Sequence, residues 1–146
     1  KELLDKILEA GRIAPTAKNN QPQYIFVVES EEGLSKIDKV TPCRYNAKTC
    51  LLVCSNKYKA YNTKKYNSYE MDATIVATHM MLEATNLGVD NIWIRMFDNE
   101  DVKREFNLPD FIEPVCILNL GYKTDDYTTS PLHLIRKDIT KITEFI

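Results

Sequence analysis

A first helical run ends at Pro15, a second proline (Pro22) opens an apolar run, and the residues between them are almost all polar. Leu3, Leu4, Ile7 and Leu8 recur with the period of an α-helix, and a proline cannot continue that helix, because its ring removes a donor and clashes with the preceding turn. Beyond Pro22 come Tyr24, Ile25, Phe26, Val27 and Val28, consecutive aromatic or β-branched residues that predict a strand, Tyr24–Glu29, covered on both faces. A hydroxyl, a lysine and several amides are thus mounted on a loop with a rigid element at each end. Such loops are favoured sites for ligand-binding groups.

The rest of the chain alternates helical and extended periods. Glu31–Val40 predicts a short amphipathic helix with Leu34, Ile37 and Val40 on one face. Cys50–Cys54 is an apolar strand. Asn56–Ser68, rich in lysine and tyrosine, reads as a long surface loop, of a size usually kept to cover a site or meet a partner. Asp72–Leu87 is the strongest helix, with Gly88 as its stop. It is apolar nearly all round and must be covered on both sides, at the centre of the molecule or at a subunit interface. Asn91–Ile94 is a short strand. Asp98 then caps a helix with Glu100 and Asp101 in its first turn, Pro109 closes that region, and Glu113–Tyr122 is a buried strand ending in Gly-Tyr.

A chain of 146 residues with 44% hydrophobic and 27% charged residues predicts one domain with an ordinary globular core. Its net charge of −2 argues for neither nucleic acid nor a membrane surface as partner. The cluster Lys57, Lys59, Lys64 and Lys65, interleaved with Tyr58, Tyr61 and Tyr66, reads as a solvated face. Cys43, Cys50, Cys54 and Cys116 form no C-x-x-C pair, and His79 and His133 lie far apart, so no metal is expected. Cys50, Cys54 and Cys116 read as small buried hydrophobes, and reduced cysteines point to the cytoplasm. The order of elements could suggest a Rossmann sheet, but no G-x-G-x-x-G follows any strand.

The stretch Ala14, Pro15, Thr16, Ala17, Asn19, Gln21 and Pro22 resembles, in register, the flavin-binding motif of the nitroreductase family of FMN-dependent NAD(P)H oxidoreductases; Gln23 stands where that motif has an aromatic residue. Leu87-Gly88-Val89, Trp93-Ile94, Leu108-Pro109 and Leu120-Gly121-Tyr122 extend the resemblance over essentially the whole chain. It implies an α+β fold: a mixed, mostly antiparallel sheet flanked by helices, in a single domain over residues 1–146. It also implies a homodimer, packed through the central helix, with FMN near the interface.

By the same resemblance, Pro15, Thr16, Ala17, Lys18, Asn19 and Gln21 line the cofactor, with Lys18 placing positive charge near the flavin N1–C2 edge. Ile94, Arg95 and Met96 lie beside the ring, and Arg136 and Lys137 meet the phosphate, a task suited to Arg because its planar fork makes paired bonds. NADH or NADPH gives a hydride, and a small acceptor such as a nitroaromatic or a quinone takes the electrons. No catalytic side chain is expected, because the chemistry sits on flavin N5. One departure is the family's Arg-Arg-Ser-x-Arg-type segment, which has no match in Lys1–Gly11. The chain starts at a helix without methionine, so the expectation is a domain lacking its N-terminal segment. The alternative function is a flavin-binding sensor or storage protein without turnover, or an interaction domain that has lost the site.

Overall fold

The computed structural model describes residues 1–146. The chain runs α1 (Glu2–Ile13), β1 (Gln23–Val28), α2 (Glu31–Val40), β2 (Thr49–Asn56), β3 (Asn62–Thr63), β4 (Tyr66–Asn67), α3 (Tyr69–Asn86), β5 (Asp90–Ile94), α4 (Asn99–Phe106) and β6 (Ile112–Gly121). Local chemistry accounts for the ends. The Ser30 hydroxyl accepts from Gly33 N–H to cap α2. Asp98 accepts from Glu100 and Asp101 N–H to cap α4, and Asn107 and Gly88 take the left-handed conformation after α4 and α3.

β1, β2, β6 and β5 form one sheet in that order, every pair antiparallel. The α+β expectation holds, and in this chain the sheet is antiparallel throughout. Leu51, Val53, Cys116, Leu118 and Leu120 pack with α1 and α3 on one face. Cys50, Leu52, Cys54 and Ile117 pack with α2 and α4 on the other. β2 and β6, covered on both faces, therefore read as unbroken apolar runs. Burial raises the thiols of Cys50 to about 11 and Cys116 to about 12, and pushes that of Cys54 higher still, so all three are protonated core residues, as expected.

Two expectations need correction, on β1 and on Asn56–Ser68, and for α3 one of the two alternatives is removed. β1 lies at a sheet edge and is covered on both faces only in part: Tyr24 and Val27 are exposed, and one row of its backbone groups has no partner strand. The apolar run resembled an interior strand because its outer residues are large and β-branched, a pattern that does not encode sheet order. Asn56–Ser68 is not a plain loop but carries the β3–β4 hairpin. α3 buries Ala73, Val76, Ala77, Met80 and Ala84, whereas Met71 and Leu82 on its outer side face solvent. Within one chain this helix is covered on one side only, so it is not the centre of the molecule.

α1 and α3 cross closely at Gly11, where an added Cβ would lie 2.8 Å from Met80 Cγ and Sδ. Gly11→Ala should gain roughly 1 kcal/mol of helix propensity. Forcing the fully buried Met80 aside costs typically 1–3 kcal/mol. The expected outcome is a net loss of about 1 kcal/mol, measured by urea denaturation, where an ordinary helix surface would show a gain.

Candidate functional site

The predicted ligand loop is held in an unusual conformation. Lys18, Asn19 and Gln21 all have left-handed φ values of 53°, 54° and 48°. Asparagine tolerates this region, but Lys and Gln are strained there by roughly 1 kcal/mol or more each. Two contacts hold the turn. Thr16 Oγ1 accepts from Gln21 N–H at 3.0 Å, and Asp72 Oδ1 accepts from Ala17 N–H at 2.8 Å. Pro15, Lys18, Asn19 and Gln21 are exposed and Thr16 and Ala17 half-buried. The Lys18 ammonium is not free in water: it sits 4.7 Å from the centre of the Tyr61 ring, at the base of the hairpin.

β5 runs toward the end of the sheet where Gln23 pairs with Ser55 and Ser55 with Glu113, but Ile94 pairs with Ile117, so Ile94, Arg95 and Met96 leave it midway along β6. They lie, however, at the opposite edge, three inter-strand gaps across the sheet and four residues along β6 from the level of Gln23, roughly 19 Å away. Ile94 is buried and Met96 exposed, its sulfur 3.7 Å from Cys43 Sγ. Arg95 donates to Phe97 O and Asn99 Oδ1, both at 3.1 Å, and lies over the Phe97 ring. It forms no ion pair.

Arg136 and Lys137 are brought to neither group. They lie on an arm, residues 122–146, in which every residue is exposed. Two short 3₁₀ turns (Pro131–Leu134 and Ile139–Lys141) shape it, and beyond Lys123 all its hydrogen bonds are internal. Leu132, Leu134, Ile135, Ile139, Ile142, Phe145 and Ile146 are all exposed along it. Sequence spacing had no means of showing this separation.

The donor set at the loop fits the polar edge of an isoalloxazine ring. The Asn19 side chain makes no hydrogen bond to the chain, and the Thr16 hydroxyl, which accepts from Gln21, keeps its own proton to donate. Nearby, Gln23 Oε1 and Ser55 Oγ are buried without partners and belong to directly paired residues of β1 and β2. Such orphans are uncommon and mark unused polar capacity. A phosphate cradle is not assembled within one chain. Of two surface hollows, one of about 490 Å³ lies against α1, and one of about 550 Å³ lies between Phe106–Ile112 and the strand ends at Tyr24 and Asn56.

Sequence reasoning missed Asp72, Ser68 and Tyr61 as supports of the loop. The signal was present for Asp72: it falls on the same helical stripe as Val76 and Met80, where a carboxylate has no place unless it is bonded.

Residues 1–45 and 41–122 match the profile of the Nitroreductase family, so the chain belongs to that family. It is 36% identical to a nitroreductase family protein of known structure from Clostridium difficile 630, covering 99% of this chain and 86% of that one, with a TM-score of 0.92. An FMN-dependent nitroreductase from Clostridium difficile R20291 is 26% identical, over 99% of this chain and 87% of that one, with a TM-score of 0.77. A protein from Methanothermobacter thermautotrophicus, provisionally named an NADH dehydrogenase/NAD(P)H nitroreductase, is 29% identical over 138 residues, covering 90% of this chain and 71% of the relative.

Proposed function

We propose that the protein is an FMN-dependent oxidoreductase that takes hydride from NADH or NADPH and passes electrons to a small acceptor such as a nitroaromatic or a quinone. The observation that carries this reading is the clamped loop Thr16–Gln21, whose Asn19 side chain and Thr16 hydroxyl proton are unused by the chain, in a fold shared with an FMN-dependent nitroreductase. Bound FMN would supply the chemistry, accepting two electrons from a nicotinamide and giving them to the acceptor. The chain's own residues bind and orient. Pro15 and Ala17 shape the turn, Thr16 and Asn19 address the polar edge, and Gln21 closes it. Lys18, steadied by Tyr61, places positive charge where the reduced ring is anionic, which favours reduction. Ile94, Arg95 and Met96 flank the ring, and Arg136 and Lys137 meet the phosphate.

These groups work together in a homodimer. One chain leaves the Arg136–Lys137 arm, the outer side of α3 and the edge of β1 uncovered. A second copy covers apolar surface of this kind and brings the loop, the strand end and the basic arm into one site. The four free thiols fit the cytoplasm, and no helix is long and apolar enough to cross a membrane.

The test is an anaerobic absorbance spectrum of the purified protein, with FMN, before and after adding NADH or NADPH. Flavin bands that bleach establish the reductase. Bands that persist leave a binding or sensing role, and a protein that takes up no FMN sinks the assignment. Asn19→Gly, which keeps the left-handed turn and removes the amide, should weaken FMN binding about tenfold at unchanged melting temperature.

A further inference from the structure

Asp72 is the one charged side chain in the interior, 1% exposed, and it has no cationic partner. A carboxyl group in such a place is costly unless its oxygens are hydrogen-bonded. Its two oxygens look in two directions. Oδ2 accepts from the Ser68 hydroxyl at 2.6 Å, and Oδ1 crosses to another part of the chain to accept from Ala17 N–H at 2.8 Å. Ser68 is fully buried, and its own N–H bonds Tyr61 O, whose ring carries the Lys18 ammonium. The start of α3 therefore ties down both the loop and the hairpin beside it.

A tether within the fold would be satisfied by a relaxed loop. This loop is strained at Lys18, Asn19 and Gln21, and such conformations persist only where surrounding contacts over-determine them. Thr16 fixes the far side of the turn, and Asp72 fixes the near side by accepting from Ala17 N–H, a bond an amide oxygen at the same position can also make. The geometry points to Asp72 as a positioning residue that holds Thr16–Gln21 in its ligand-binding form and couples it to the Tyr61 hairpin. This inference rests on the FMN reading for the identity of the ligand, but not for the tether.

The experiment compares Asp72→Ala, Asp72→Asn and Ser68→Ala in the full chain, measuring FMN dissociation constants by fluorescence quenching and backbone amide exchange at Ala17–Gln21. Asp72→Ala should weaken FMN at least about tenfold and speed exchange at those amides beyond any global change. Asp72→Asn, whose oxygen still accepts from Ala17 and whose amide can donate to Ser68, should stay within about threefold of wild type. Ser68→Ala should fall between them. Wild-type exchange at Ala17–Gln21 in Asp72→Ala overturns the proposal, as does equal loss of affinity in the Ala and Asn variants. If Asp72→Ala does not fold, the contrast between Asp72→Asn and Ser68→Ala decides. If wild type binds no FMN, the cofactor reading fails, and the exchange data still settle the tether.

Discussion

Deleting residues 123–146 is expected to leave a folded core that neither dimerises nor retains FMN. No residue of the arm is buried against its own chain, and Lys123 N–H to Asp90 is its one hydrogen bond to the body. The core should therefore keep its circular dichroism spectrum. What the arm holds in reserve is apolar area. Seven large aliphatic or aromatic side chains from Leu132 to Ile146 stand exposed. At roughly 1.5–3 kcal/mol for each one fully buried, they represent on the order of 10–20 kcal/mol before the costs of association and ordering. Exposed apolar side chains at this density are what the dimer proposal assigns to the interface. The same deletion removes Arg136 and Lys137, so FMN affinity should fall by at least about tenfold per lost charge-assisted contact. Light scattering on a sizing column and flavin retention on desalting read both effects. A truncated protein that stays dimeric and yellow would overturn the role given to the arm.

The second large effect concerns Glu113, at the start of β6. Its Oε1 accepts from Lys103 Nζ of α4 and from Lys57 Nζ beyond β2, both at 2.8 Å. The Glu113 and Lys103 side chains are only 12% and 11% exposed, so removing the carboxylate strands a nearly buried ammonium with the exposed Glu100 as its sole partner. Glu113→Gln should lose about 2 kcal/mol, since breaking one half of a largely buried pair costs more than an exposed pair contributes.

The pH dependence has a definite sign. Burial raises the Glu113 carboxyl, but the bonds from Lys103 and Lys57 outweigh it and hold the group below its ordinary 4.5. Its contribution is therefore complete above about pH 4.5 and is lost as pH falls through the lower folded value. Burial lowers Lys103, but the bonds to Glu113 and Glu100 raise it above its ordinary 10.5, so that share is present below 10.5 and lost at higher pH. Wild type should lose stability on acidification below about pH 4.5 through this site, and Glu113→Gln should show a shallower acid limb in urea titrations.

The sequence by itself determined the elements and their ends, because those are local. The helix period stops at Pro15, Asp98 caps α4 through the two N–H groups next to it, and Gly88 takes a positive φ just past α3. It also determined the position of the polar loop to which the cofactor is assigned by proposal, since a polar run between two prolines is legible without tertiary contacts. Tertiary structure alone decided the rest. β1 became an edge strand because sheet order depends on pairings across distant segments. Asp72 became the anchor of Ala17 across 55 positions of chain, a contact no local pattern encodes. Arg136 lies on an arm whose residues are all exposed, and whether a segment is buried depends on the space around it as well as on its residues.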